Sequence, residues 1–343
     1  VISIREVAKR AGVSPSTVSR VLSGNARVET DTRARVEKVI SDTGYRPNIN
    51  ARSLRSRSGQ LVGLVVPDMQ ETFSAIIHHA EHEAFRMGFG LIVGNTNGDP
   101  EKERAVIADL LSRNVDAIIF SRVSDSSHVA DTFRGRRVPI VAIDRGIEIE
   151  DVPSVQLDNT RAGELVAELF LAGGHREVGM VMGSQNIRLA RERSDGFLKT
   201  LRSAGIEIAP NHLYEGPFEF ESGIVAARRF LASGTLPTAI WAQCDPMAVG
   251  LLHVFLEEGI SVPGDVSVVG MDNAHLARMV YPALTTINQP LEEVCAHAFA
   301  LIGRQIAGQE ASSSPGADSD QILIEPDLVM RSSYRALNRK EQV

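Results

Sequence analysis

The sequence predicts a chain in two unlike parts, a small all-α head and a larger α/β body of two doubly wound parallel sheets. Three observations carry that expectation. The first 58 residues hold 12 Lys or Arg against 5 Asp or Glu, whereas the other 285 hold 24 against 38. The head consists of short amphipathic runs bounded by cap signals, and the body alternates strand-length apolar runs with helical ones. A basic head on an acidic body is the asymmetry of a nucleic-acid-binding module joined to something else, and the overall charge of −7 conceals it.

Within the head, Ser3-Ile4-Arg5-Glu6 is a capping box that opens a helix with apolar Ile4, Val7, Ala8 and Ala11, and Gly12 closes it. In "VSPSTVSRVLSG", Val13 to Gly24, Ser14 is the N-cap and Pro15 the first helical residue, where its missing N–H costs nothing. Val18, Val21 and Leu22 make one apolar stripe, which leaves Ser16, Thr17, Ser19 and Arg20 on the remaining surface. Two short helices joined by a Gly-containing turn form a helix-turn-helix, although these residues alone also suit an ordinary helical hairpin. A third helix, Asp31 to Thr43, brings Ala34, Val36, Val39 and Ile40 to a three-helix core, with Thr30 or Asp31 as its cap and Gly44 as its stop. In "YRPNINARSLRSRSG", Pro47 breaks the chain, and the turn at 51–55 is too short to be helical alone.

"ISIREVAKRAGVSPSTVSRVLSG" followed by "RVEKVISDTGYRPNINARSLR" resembles the headpiece and hinge of the lactose/galactose repressor family of bacterial transcription factors. "GLVVPD", "VAIDR", "GHREVGMVMG", "RSDGF", "VPGDVSVVGMD" and "PALTTINQP" extend the resemblance in order over nearly the whole chain. It implies a headpiece at 1–46 whose second helix enters the DNA major groove, with Pro15, Ser16 and Arg20 at base-reading positions. Arg is the side chain best suited to guanine O6 and N7, and the short hydroxyls of Ser3, Ser14, Thr17 and Ser19 suit phosphate oxygens. Pro15 departs from members with a hydrogen-bonding side chain there and offers apolar contact. A hinge at 47–58, including Asn48 and Ala51, is implied to order on DNA and to wedge Leu54 into the minor groove.

From Gln60 onward, "LVGLVV", "GLIVG", "DAIIF", "PIVAI", "EVGMVMG", "TAIWA" and "DVSVVG" alternate with helical stretches such as Phe73 to Met87, Glu101 to Asn114, Arg161 to Ala172 and Asp245 to Glu258. Continuous apolar strands between helices mean parallel sheets covered on both faces, and a body this long suits two of them. The resemblance implies a periplasmic-binding-protein-like core at 59–335. One lobe takes about 59–157 and 288–320, the other about 158–287 and 321–335, with chain crossings near 157, 287 and 320 and a tail at 336–343.

Ligands of such sheets sit beyond the carboxyl ends of the strands, here the cleft between lobes. Strand ends supply Asp68, Phe73, Asn95, Asp144, Arg145, Arg193, Phe218, Gln243, Cys244, Asp245 and Asp272. The resemblance puts Phe73, Arg145, Arg193, Phe218 and Asp272 at effector-contact positions. Structural roles compete for several: Asp144 and Arg145 as an internal ion pair, Asp245 as a helix cap, Phe218 as loop packing. Cys244 stands where many sugar-responsive members carry Asn. A sugar, a sugar acid or a base-like ring all suit this set, a sugar or sugar derivative being favoured.

No phosphate-binding Gly-x-x-x-x-Gly-Lys loop or Gly-x-Ser-x-Gly elbow occurs, and the glycines of "GFGLIVG" lead into a strand rather than out of one. Cys244 and Cys295 lack zinc spacing, and "HHAEHE", with His78 and His82 four apart, lacks the order of a metalloprotease helix. No apolar run reaches membrane-spanning length. The expectation is a cytoplasmic, homodimeric regulator of transcription, most often a repressor in this family, that needs no cofactor or metal. Its expected partners are a palindromic double-stranded operator and a small-molecule effector. The alternatives are a regulator gated by a protein partner and an enzyme on a sugar or nucleotide fused to a DNA-binding head. "AGQEASSSPGADSDQ", Ala307 to Gln321, reads as a mobile loop.

Overall fold

The computed structural model describes residues 2–22, 28–45, 60–123, 132–133, 138–145, 152–308 and 321–337. The expected hinge with Asn48, Ala51 and Leu54, most of the 307–321 loop and the last six residues of the tail lie outside the described residues. The chain divides into two compact units, residues 1–59 and 60–343.

The first unit is built on α1 (Ile4–Ala11), α2 (Pro15–Leu22) and α3 (Thr30–Thr43). The Ser3 hydroxyl accepts the Glu6 N–H, and Gly12 closes α1 at φ 66°, a conformation that costs glycine least. Glu6 turns its carboxylate to Arg10 one turn on. Ser14 caps α2 by accepting the Thr17 N–H at 3.2 Å. Val7, Ala8, Ala11, Val18, Val21 and Val36 are buried together, with Ile4, Leu22, Val39 and Ile40 partly buried against them, whereas Ala34, expected in this core, is exposed on α3. The cap of α3 is Glu29, not Thr30 or Asp31, and it makes no side-chain cap bond; its extended backbone alone starts the helix. Loss of the Ser14 cap in Ser14→Ala is expected to cost about 1 kcal/mol. Faster amide exchange in α2, with α1 and α3 slowed or sped by less, would show it; uniform protection would refute it.

The second unit contains two six-stranded sheets. In the first, β1 (Leu61–Val66), β2 (Gly90–Asn95), β3 (Ala117–Phe120), β4 (Ile140–Ile143), β5 (Ser154–Leu157) and β11 (Gln321–Ile324) are all parallel, in the order β11-β5-β4-β3-β1-β2. Helices α4 (Glu71–Arg86) and α10 (Leu291–Ile306) bury Phe73, Ile76, Val294 and Phe299 against one face. On the other face, α5 (Pro100–Ser112) buries Ile107 and Leu110.

The second sheet has the order β12-β10-β9-β8-β6-β7, built from β6 (Val178–Met182), β7 (Leu213–Glu215), β8 (Ala239–Ala242), β9 (Ser267–Asp272), β10 (Thr285–Asn288) and β12 (Asp327–Val329). Its edge strand β12 runs antiparallel to β10, so this sheet is not wholly parallel. Helices α6 (Asn159–Ala172) and α7 (Arg188–Ser203) cover one face, and α8 (Phe220–Ala232) and α9 (Asp245–Glu257) the other. Each pair approaches to backbone contact through glycine. A Cβ on Gly163 would meet the Arg193 carbonyl oxygen at 2.2 Å, and one on Gly223 the Met247 carbonyl oxygen at 2.0 Å.

The chain passes between sheets three times: after β5, after β10, and between β11 and β12. The third passage follows Ile324 rather than lying near 320, because residues 321–324 pair with β5 and finish the first sheet before the chain leaves it. Residues 321–324 thus belong to the first lobe, not the second.

Candidate functional site

On the head, α2 turns Val18 and Val21 inward and leaves Ser14, Pro15, Ser16 and Arg20 exposed, with Thr17 and Ser19 half-buried beside them. Ser3, at the start of α1, is also exposed. The Ser14 hydroxyl lies 2.7 Å from that of Ser16 and 2.9 Å from that of Thr17, so these groups satisfy one another. A phosphate oxygen has stronger acceptor character than a hydroxyl and would draw such donors outward.

In the body, a cleft of about 780 Å³ separates the strand ends of the two sheets. Asp68, Phe73, Asp144, Arg145, Arg193, Phe218, Cys244 and Asp272 line it. Arg193, on α7 and buried, donates from Nε to Asn159 at 2.9 Å and from Nη1 to the Gln243 carbonyl at 2.8 Å, and lies over the Phe218 ring at 5.9 Å. Arg145 is its counterpart in the first lobe. It donates to the Val123 carbonyl at 2.6 Å, stands 3.8 Å from the Asp144 carboxylate and lies over Phe73 at 5.8 Å. The buried Glu103 of α5 steadies this corner by accepting the Val123 N–H at 2.8 Å.

Asp144 and Asp272 follow or end β4 and β9 with φ of 56° and 117°, a region in which non-glycine residues are strained. Burial raises both carboxyls above the usual range, against the pull of the arginines, and Asp272 is pushed up to about 6. Asp272 accepts from Gln289, which follows β10, and Thr72 on α4 of the first lobe faces it and favours its ionised form.

Three expected wall residues face elsewhere. Asn95 accepts the Asn97 N–H at 2.9 Å, and the turn it holds presents Asn97 and Gly98 to the cleft instead. Asp245 is fully buried behind the wall, accepting the Ala274 N–H at 2.7 Å and the Thr286 hydroxyl at 2.6 Å. It starts α9 as a tie between strand ends. Gln243 also sits behind the wall, where its amide joins Gly183, Ser194 and Ala190 and its carbonyl fixes Arg193.

With head and cleft described, comparison with known proteins decides the family. The profile described as "Bacterial regulatory proteins, lacI family" matches residues 3–48, and the "Periplasmic binding protein-like domain" matches residues 167–334. The HTH-type transcriptional repressor PurR of Actinobacillus pleuropneumoniae serotype 3 (strain JL03) is 32% identical over 98% of this chain and 99% of its own. The chain belongs to the lacI family of bacterial regulatory proteins. This lacI-family protein is a DNA-binding regulator of transcription. It is also similar to Catabolite control protein A of Priestia megaterium, 30% identical over 91% of this chain and 95% of the relative. The lac repressor dimer bound to operator and the anti-inducer ONPF superposes with a TM-score of 0.86 at 26% identity, covering 98% of this chain and 99% of that one. The transcriptional regulator CelR in complex with cellobiose gives 0.73 at 26% identity, covering 97% and 100%. These relatives are regulators rather than enzymes.

Reading strand ends missed Thr72, Asn97, Ser184, Asn186 and Gln289, which line or bridge the regulator's cleft. Thr72 had a signal in its place in the first turn of α4, one residue before Phe73. Cys244, buried at the start of α9, is held as a neutral thiol because burial and neighbouring Asp272 raise it well above its ordinary value. Among the described residues no group of His, Cys, Asp and Glu could hold a metal ion, and no helix is long and apolar enough to cross a membrane.

The raised Asp272 carboxyl has a thermodynamic consequence. The folded regulator holds that proton more tightly than the unfolded chain, so this site stabilises most below about pH 4 and the contribution is lost as pH rises through about 6. Asp272→Asn, which resembles the protonated form, is expected to gain about 1–2 kcal/mol near neutrality and nothing at about pH 4. Denaturant midpoints across that range check it, and an equal gain at both ends would count against the assignment.

Proposed function

We propose that this regulator is a cytoplasmic repressor without enzymatic turnover, which holds a palindromic operator as a homodimer and is gated by a small molecule in the interlobe cleft. One observation carries the reading: the same chain joins a hydroxyl-rich helix bearing an exposed Arg20 to a cleft whose walls stand on two separate sheets. The relatives named as repressors, the operator-bound dimer and the cellobiose-bound regulator support it.

In this reading residues 1–46 are the headpiece. Helix α2 lies in the major groove, Arg20 reads guanine, Pro15 and Ser16 touch base edges, and Ser3, Ser14, Thr17 and Ser19 hold phosphates. Residues 47–58 are the hinge, with Asn48, Ala51 and Leu54 at the operator centre, and the core begins at 59. Asp68, Phe73, Arg145, Arg193, Phe218, Cys244 and Asp272 receive the effector. An effector that prefers one lobe arrangement shifts the population toward it, and the hinge orders or melts accordingly. Selection of bound sequences from random duplex DNA, with and without filtered metabolite extract, tests the proposal. A palindrome whose affinity changes with the extract is the expected result. Enrichment of no sequence under either condition would refute it.

A further inference from the structure

We infer that the cleft selects an effector rich in hydrogen-bond donors and free of negative charge, an uncharged polyol or its amino derivative, and rejects phosphorylated and carboxylated molecules. The inference rests on the cleft being the effector site. Asp68 and Asp144 stand in the first lobe and Asp272 in the second, so carboxylates face the cleft from both sides. Asp272 is buried, the Asp144 side chain is 12% exposed, and both are on strained backbone. Each carboxylate has about four acceptor positions, and Asp272 fills one of them from Gln289.

The two arginines do not form an anion clamp. Bidentate capture needs a whole guanidinium fork, either Nε with Nη2 or Nη1 with Nη2. Arg193 commits its single Nε hydrogen to Asn159, which closes the Nε–Nη2 fork, and spends one of its two Nη1 hydrogens on the Gln243 carbonyl. Arg145 spends an Nη1 hydrogen on the Val123 carbonyl, and its Nε, 3.8 Å from the Asp144 carboxylate and without a hydrogen-bond partner, is buried out of a ligand's reach, so its Nε–Nη2 fork is closed as well. Their charge is absorbed by carboxylates already present, and rim residues Glu71 and Glu219 add two more acids. A ligand phosphate would enter this site against like charge at low dielectric, whereas hydroxyl or ammonium donors would meet acceptors.

The sign of the pH dependence separates the two cases. Donors favour the ionised forms of Asp144 and Asp272, the two cleft carboxyls that burial raises, with Arg145, Arg193, Asp68 and the rim acids Glu71 and Glu219 facing the same space. Affinity for the inferred ligand therefore falls on acidification through about pH 6, and affinity for an anion rises.

The test divides a deproteinised bacterial metabolite extract on a strong anion exchanger and adds each part to the full chain on its selected operator. Unretained material is expected to change operator affinity by about tenfold, in either direction, and retained anions by less than about twofold. The unretained effect should weaken about threefold or more between about pH 7.5 and about pH 5.5, relative to effector-free binding at each pH. Activity in the retained part, or an effect that strengthens on acidification, overturns the inference. So does a rise in melting midpoint with glucose 6-phosphate larger than with glucose. If neither part acts while the operator is still bound, small-molecule gating fails and the inference falls with it. Loss of operator binding itself is a separate failure, of the DNA-binding reading.

Discussion

Arg193→Leu is expected to destabilise the body by about 3–5 kcal/mol and to abolish the response to effector. Removing the guanidinium leaves the Gln243 carbonyl and Asn159 without their donor and exposes the buried carboxylates of Asp272 and Asp144 to uncompensated burial. The headpiece is a separate unit, so effector-free affinity for operator should stay within about threefold of the parent. Denaturant unfolding and operator titration with metabolite extract measure the two effects. Adding Asp272→Asn to Arg193→Leu should recover part of the stability and none of the response, since it removes the stranded charge but not the missing contact. A loss below about 1 kcal/mol with a normal response would mean that Arg193 is replaceable.

Arg20→Ala should weaken operator binding by about 10- to 100-fold and random duplex by only a few fold, because a guanidinium on a base edge contributes about 1–3 kcal/mol of discrimination. Arg20 is exposed on α2, and a thermal melt of the variant separates any loss of headpiece folding from a loss of DNA contact. Fluorescence anisotropy on the selected operator and on a scrambled duplex separates the two effects. Equal losses on both would reassign Arg20 to the phosphate backbone. The salt slope should fall by about one or less.

Much of the fold could be read from the residues because burial on both faces forces long aliphatic runs, and all seven such runs became strands β1, β2, β3, β4, β6, β8 and β9. The strands not anticipated are three or four residues long. Ser154–Leu157 and Thr285–Asn288 mix polar with apolar residues, and Asp327–Val329 is a short antiparallel edge. Pairing, not composition, makes these segments strands. Strand ends also led to most of the cleft wall, since parallel sheets place their carboxyl ends at the ligand. They failed at three positions, Asn95 through a local turn, and Gln243 and Asp245 through distant partners. A turn moved the wall from Asn95 to Asn97, and Asp245 was drawn inward by partners 29 and 41 residues away. Gln289 owes its place to the neighbouring strand that ends in Asp272, and Thr72 faces a carboxyl of the opposite lobe; no window of the sequence contains either pairing.

The three passages between sheets set what motion the body permits. One strand of backbone between two bodies is a tether, about which they swivel freely. Three side by side behave as a strap hinge: the lobes swing along one easy arc, while twist and lateral slip stretch at least one backbone segment. A ligand drawing Thr72 toward Asp272 therefore cannot produce an arbitrary rearrangement. Its binding energy is channelled into a single angular coordinate, and the population shift proposed for the effector runs along that arc.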